Sequence, residues 1–259
     1  MATVEAAAVT LLGVSRQRGL DGELDVGDDS MVYATVRTGY RAGGFTVGTG
    51  NTYEPEKPRT YEIGLRSRLF DRRLQLNMTG FYWDYRGQQI SQLRLYKVGG
   101  VDVGQTAYPF NYDGKFYGAE ADVVALLTPQ TRLKLNVLWT KGTYDSTPAV
   151  AALNQATLVP QFNLPRINLP EFTIGATLNH SFETGSGASV VPEVRMHYEG
   201  RAVLRIIDPA LLTPAEIRNA YAKLDASLTY NAPEGRWSVQ AYINNITNKA
   251  VVGVGSSGH

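Results

Sequence analysis

Cysteine is absent from the 259 residues of this chain. That excludes disulfide frameworks, thiolate metal sites and cysteine nucleophiles together. Histidine occurs three times; His180 and His197 fall on separate predicted strands and His259 is the last residue, so solvated or interfacial histidines are expected rather than a metal or catalytic set. Charge of one sign is missing too, because 25 Lys+Arg face 24 Asp+Glu. A nucleic-acid partner would leave a basic field, and none exists. No GxSxG, HExxH or P-loop spacing occurs, and the glycines of Gly253–Gly258 do not follow a strand and open a helix. Neither an enzyme nor a cofactor is implied.

Long apolar runs are lacking as well. No stretch of about 18 apolar residues could cross a membrane as a helix. A β-barrel needs no such run, since only alternate residues meet lipid, and a mean hydropathy of -0.20 is compatible with one. The start, MATVEAAAVTLLG, carries Glu5 and no early Lys or Arg, which makes a poor signal sequence. The expectation is that the chain either is not exported as it stands or truly begins upstream.

What is abundant is tyrosine, 15 residues, and glycine, 26, which suit aromatic girdles and turns. The most informative stretch is Tyr61–Tyr85. Tyr61, Ile63, Leu65 and Leu69 share one parity and Glu62, Arg66 and Arg68 the other; Leu74, Leu76 and Met78 then oppose Gln75, Asn77 and Thr79. This is a pair of amphipathic strands joined by a tight turn at Phe70–Arg73, with an aromatic collar of Phe81, Tyr82, Trp83 and Tyr85, the second strand continuing past Tyr85 toward Leu95. Similar strands are predicted from Leu20 to Val26, Val32 to Arg37, Tyr117 to Ala125, Leu133 to Trp139, Phe172 to Leu178, Val190 to Tyr198, Leu224 to Tyr230 and Trp237 to Ile243. Glu120 and Asp122 share a face as acidic groups of a wet interior, opposite Arg or Lys. Thr213 with Glu216, and Pro214 between them, is a capping box for at most two helical turns inside a loop. Three Asn-x-Ser/Thr sequons, at Asn77, Asn179 and Asn245, lie within or at the end of strands and are discounted.

The connections sort into two kinds. Short turns fall near residues 28, 71, 130, 185 and 233, and between them run long loops: the stretch after Phe45 through Pro58, Val98 to Tyr108, Lys141 to Pro170, and one around the capping box. Short turns on one rim and long loops on the other form the asymmetry of outer-membrane barrels.

Four segments in order, Met31–Phe45, Tyr61–Tyr85 with Gln88 and Gln89 after it, YGAEADVVALLTP from Tyr117, and INNITNKAV from Ile243, resemble the barrel of TonB-dependent outer-membrane receptors. The resemblance runs from about Arg16 to Val251. It implies an all-β fold, an antiparallel up-and-down transmembrane barrel, of which this chain holds about ten of about 22 strands. Residues 1–15 remain unassigned, 16–251 form the partial barrel and 252–259 a Gly/Ser-rich tail. It further implies a place in the cell outer membrane and uptake of ferric siderophores or similarly bulky nutrients, energised by the TonB system. The partners are outer-membrane lipid, TonB through a plug domain that nothing in this chain matches, and an extracellular ferric chelate. The family's closing aromatic strand is also unmatched. Tyr40, Arg41 and Phe45, with Tyr53, border the first long loop and are the candidate ligand-binding residues. Girdle anchoring is the competing role for the tyrosines, and Tyr96 and Tyr108 have the same weaker claim. A passive porin-like channel and a soluble all-β binding module are the alternative functions.

Overall fold

Successive side chains of a strand point to opposite faces, so a period-two pattern sustained along neighbouring strands specifies a two-faced sheet. The computed structural model, which describes residues 18–45, 52–98, 101–145, 169–204, 214 and 217–251, with backbone alone at 92–98 and 101–108, contains that sheet. Its strands are β1 (Gly19–Gly27), β2 (Ser30–Thr38), β5 (Lys57–Leu69), β6 (Leu74–Val98), β7 (Val101–Leu126), β8 (Thr131–Asp145), β9 (Phe172–His180), β11 (Ser189–Glu199), β14 (Tyr221–Asn231) and β15 (Ser238–Ile243). They pair antiparallel in that order, and the short β10 (Phe182–Glu183) adds to β11. Two small ribbons stand apart: β3 (Gly44–Phe45) with β4 (Thr52–Tyr53), and β12 (Ala202–Val203) with β13 (Ile217–Arg218). Sequence neighbours pair throughout, and β1 and β15 are the edges of an open wall.

The register aligns apolar residues into continuous rows. Leu24, Val32, Leu65, Met78, Ala121, Val137 and Ile174 follow one another from β1 to β9. Two pleat repeats higher, Val36, Tyr61, Tyr82, Tyr117 and Lys141 form a second row, in which Tyr61 and Tyr82 stand 6.1 Å apart and Tyr117 meets Trp139 of the row between at 5.8 Å. Near the opposite rim Tyr230 lies 5.2 Å from Trp237, and Phe182 4.3 Å from His180. Two aromatic levels thus bracket an apolar band. Below the tyrosine row this face carries no Asp, Glu, Lys or Arg on any strand of the sheet. Its large side chains are bare, with Leu20 75%, Ile63 60% and Val239 61% exposed. An apolar face of this extent marks a surface meant for lipid or another apolar partner.

The other face is polar and internally bonded. The Tyr33 hydroxyl bonds Thr79 Oγ1 at 2.8 Å, and the Arg66 guanidinium lies 5.0 Å above the Tyr33 ring. Asn136 donates to Asp122, and Asn179 and Arg195 donate to Glu193 at 3.2 and 2.6 Å. The expectation of Arg or Lys opposite Glu120 and Asp122 is corrected: in register Asp122 sits between Asn77 and Asn136, and Glu120 between Thr79 and Leu138. His180 and His197 fall on opposite faces, bonded to Thr131 Oγ1 and Glu199.

Short turns occur where expected, but one is unusual. Phe70, Asp71 and Arg72 have φ of 56°, 53° and 64°. A left-handed non-glycine residue costs roughly 1–2 kcal/mol. The turn is held by Arg73 N–H to Phe70 O at 3.0 Å, and by Arg72 Nε, which pairs with Asp29 of the adjacent turn at 3.2 Å.

The long connections differ most from expectation. Val98 to Tyr108 is not a loop, because β6 and β7 stay paired up to Val98 and Val101; above the lipid band water can meet both faces, so nothing enforces the alternation that reveals a strand. Pro58 belongs to β5, and β8 continues past Lys141 to Asp145. The helical signal at Thr213–Glu216 and the tail after Val251 lie outside the described residues, apart from Pro214.

Met78 stands midway between Leu74 and Tyr82, so Met78→Arg should weaken barrel assembly by about 2–4 kcal/mol. Arginine at Leu76 or Val123, nearer the rim, should cost less, and Asn77→Arg almost nothing. Unfolding titrations of the full-length protein in lipid measure this; equal losses at both parities would contradict the assignment of faces.

Candidate functional site

At the end of the sheet where the long connections leave, the polar face gains an aromatic platform. Phe81, Trp83 and Tyr85 have inward parity and only Tyr82 points to the apolar side, so the expected collar divides between two faces. Strand parity alone dictates this. Phe81 and Trp83 stack at 4.7 Å; Tyr85 meets Phe116 edge-on at 5.8 Å, and Phe116 meets Tyr144 at 5.3 Å. Tyr112, Phe116 and Tyr144 are the buried centre of this group, with Ile90 and Phe110 packed on it. Gly114 and Gly142 leave room for the rings against the wall: a Cβ at Gly114 would come within 2.8 Å of Tyr144, and one at Gly142 within 2.6 Å of Phe116. Burial pushes the Tyr144 phenol up to about 12, with Tyr85 and Glu56 adding to the effect, so it stays neutral at ordinary pH. Trp83 Nε1 and Gln88 Oε1 are buried without a hydrogen-bond partner among the described residues. Unmet polar groups beside flat rings give the platform polar as well as stacking capacity.

Beside the platform the ladder between β6 and β7 breaks. Register shifts between Tyr85 and Gln88, where Gly87 has φ of 65° and any Cβ would meet the Pro55 carbonyl at 2.8 Å. Side chains then replace the missing strand bonds. Asn111 accepts from Glu54 N–H at 2.7 Å and donates to Glu54 O at 2.8 Å, copying the two bonds of a ladder partner, and it also donates to Gly87 O at 2.6 Å. Gln89 donates to Ala42 O at 2.8 Å, and its N–H meets Glu56 at 3.0 Å. Asp113 accepts from Gly87 N–H at 2.7 Å. The first long loop is therefore clamped at both of its ends to β6 and β7.

That loop carries the four residues chosen from the sequence. Arg41 is tied by backbone bonds of 2.9 Å in both directions to Glu56, one residue beyond the half-buried Tyr40. Tyr53 lies over Gly44, its register partner, whereas Phe45 pairs with Thr52 and is 67% exposed on the opposite side of the ribbon. The fold thus places all four on one loop but turns Phe45 away from Tyr53. The side chains of Tyr96 and Tyr108 lie outside the described residues. The platform and the clamp carry no short sequence motif; continuing the parity of β6 and β7 past Tyr82 and Tyr117 is the signal that finds Trp83, Tyr85, Phe116 and Tyr112.

Across the sheet a second cluster occupies the polar face. Glu199 accepts from His197 Nε2 at 2.9 Å and from Arg218, whose side chain is only 11% exposed and lies 5.6 Å over the Tyr221 ring. This ion pair holds β13 to the end of β11.

A wall with one bare apolar face between two aromatic levels, a polar opposite face and an aromatic rim is part of a transmembrane β-barrel. The chain belongs to the TonB-dependent receptor-like β-barrel family, whose model matches residues 21–246. This is a family of transporters, not enzymes. Among solved structures it is similar to the ferric yersiniabactin uptake receptor FyuA from Yersinia pestis, at TM-score 0.70 and 20% identity over 93% of this chain and 33% of that one. The ferric-catecholate import receptor Fiu from K12 E. coli gives 0.61 and 20% over 91% and 31%, and the copper transporter OprC 0.65 and 14% over 91% and 34%. These likenesses establish the fold. The chain spans about a third of the length of each. No curated protein matches it significantly in sequence.

Asn111→Ala should release the loop, raising amide exchange at Glu54 and its neighbours by the equivalent of about 1–3 kcal/mol of lost local protection. Hydrogen-exchange mass spectrometry of the full-length protein reads this, and unchanged exchange would show that the clamp bears no load.

Proposed function

We propose that this wall belongs to an outer-membrane receptor for energised uptake of a bulky metal chelate, a ferric siderophore or a nutrient of similar size. The observation that carries the reading is the inward aromatic platform of Trp83, Tyr85, Phe116 and Tyr144 at the loop-bearing rim of a polar barrel wall. A passive channel has no use for flat rings packed over glycines at its mouth, whereas a receptor uses them to hold a large, partly aromatic ligand. The structural relatives, two ferric-chelate receptors and a copper transporter, support a metal-bearing cargo.

In this reading residues 16–251 are barrel, the short turns face the periplasm, and the long loops face outside. Tyr40, Arg41, Phe45 and Tyr53 meet the ligand first, the rings by stacking and Arg41 by attraction to the anionic groups of a chelate. Phe45, turned away from Tyr53, engages a different part of the ligand or the neighbouring loop. The wall makes and breaks no bonds. Release inward is driven by the TonB system acting on a plug domain inside the closed barrel.

The test is uptake of labelled ferric chelates by cells expressing the full-length protein under iron limitation. The expected result is saturable uptake that stops when the proton-motive force is collapsed, with Arg41→Ala and Tyr53→Ala raising the half-saturating concentration. Uptake that never saturates, ignores the uncoupler and falls with solute size would identify a passive channel instead.

A further inference from the structure

The aromatic platform carries charge of one sign only. Strand parity puts Glu56 on the inward face, two residues beyond Pro58, which pairs with Tyr85. Its backbone is tied to Arg41 in both directions, and its Oε2 accepts the Gln89 N–H at 3.0 Å. The half-buried carboxylate forms no ion pair among the described residues, not even with Arg41, its bridge partner. From the row of Glu62 upward, the inward positions of β5 to β8 with described side chains hold Glu62 and Glu56 but no Lys, Arg or His. Arg37, on the neighbouring β2, is taken by Asp21 at 3.2 Å. Elsewhere cations stand over the rings of Tyr33 and Tyr221; among the described residues none stands over Trp83, Tyr85, Phe116 or Tyr144.

The bulge at Gly87 adds a polar group to this face. An extra residue on β6 between Tyr85 and Gln88 turns Gln88 inward like Tyr85, opposite Tyr112. The Gln88 side chain bonds the Tyr144 hydroxyl, and its Oε1 is left enclosed without a partner, as is Trp83 Nε1. Burial, with the Glu56 charge adding to it, raises the pKa of both the Tyr85 and the Tyr144 phenol, so neither adds charge of its own at ordinary pH. What remains is a group of rings, one carboxylate without a counter-ion, one free acceptor and one free donor. An anion placed here meets Glu56 with nothing to offset it. A cation finds ring electrons and a carboxylate together.

We infer that Glu56, Gln88, Trp83 and Tyr85 form a subsite for a protonated amine on the cargo, so that the chelate carries a cationic arm beside its metal-binding core. The inference rests on the receptor reading of the platform. The half-buried Trp83 and Tyr85 meet the ammonium group, and the buried Phe116 and Tyr144 hold those rings in place. One ammonium N–H goes to Glu56 and another to Gln88 Oε1, while Trp83 Nε1 donates to a carbonyl of the arm. Both enclosed orphans are thereby satisfied. Arg41, across the bridge from Glu56, is left for the anionic core.

The experiment follows the 5-fluorotryptophan resonance of Trp83, assigned by Trp83→Phe, in the full-length protein in uncharged detergent. Probes of one shape and different charge are titrated: phenethylammonium, phenethyl alcohol and 3-phenylpropanoate. The ammonium should saturate the Trp83 shift at a concentration about tenfold below the alcohol, and the carboxylate should leave the resonance in place. Glu56→Gln keeps an acceptor for the Gln89 N–H and should erase the preference for ammonium over alcohol. Gln88→Leu should weaken ammonium binding, and Glu171→Gln, a carboxylate beside Lys141, should change nothing. If Glu56→Gln fails to assemble, salt decides on the parent: ammonium binding should weaken as salt rises and alcohol binding should not. Equal saturation by the three probes, no shift with ammonium, salt-independent ammonium binding, or an undiminished preference in Glu56→Gln overturns the subsite. Energised uptake that persists without ammonium selectivity overturns the subsite alone, whereas selectivity that persists without uptake overturns the receptor reading beneath it.

Discussion

Hydrocarbon offers no hydrogen bonds, and this constraint governs the whole molecule. Every backbone N–H and C=O of a lipid-exposed chain must be paired within the protein, at several kcal/mol for each failure. An antiparallel meander meets the demand with neighbours that are also neighbours in sequence, which is why the order of the wall is the order of the chain apart from the small ribbons. The side chains divide by parity in consequence. Leu65, Met78 and Ala121 stand on one side, and Arg66, Asn77 and Asp122 on the other.

Where that constraint stops, the structure changes character. Above Tyr82 and Tyr117 water can satisfy both faces, so the ladder tolerates a bulge at Gly87 and delegates its bonds to Asn111, Gln89 and Asp113. The aromatic rings that anchor the wall outward at Tyr61 and Tyr82 give way to rings packed inward at Trp83, Phe116 and Tyr144. The rim therefore combines a rigid platform with a loop tied at defined points. Precise placement of this kind suits recognition of a large ligand at little entropic cost.

Much of this was legible in the residues, and the limits have physical reasons. Strands within the lipid band announce themselves because one side of each must be apolar, as in Leu74, Leu76 and Met78. Gln89 to Leu95 still reads as a continuing strand, but Val98 to Tyr108 does not, because no such demand acts on it. The aromatic run Phe81 to Tyr85 reads as one collar by composition, yet alternate parity divides it between the two faces. The left-handed turn at Phe70 to Arg72 lacks the Asn or Gly that would signal it, and is held by tertiary bonds from Asp29. Asn111 and Glu54 are far apart in the chain, so no local pattern joins them. Tyr40, Arg41, Phe45 and Tyr53 were chosen for their chemistry; which of them face one another depends on the pairing of β3 with β4.

This chain carries no cysteine of its own, so the central claim is measurable by replacing each residue from Leu74 to Tyr82 singly with cysteine and spin-labelling it in the full-length protein in lipid, any cysteine elsewhere having been replaced. Collision with oxygen, which concentrates in lipid, and with a water-soluble nickel chelate should alternate with period two. The account predicts oxygen maxima at Leu76, Met78 and Gly80 and nickel maxima at Gln75, Asn77 and Thr79. A flat profile, or the reverse phase, would contradict the assignment of a lipid face and with it the barrel wall.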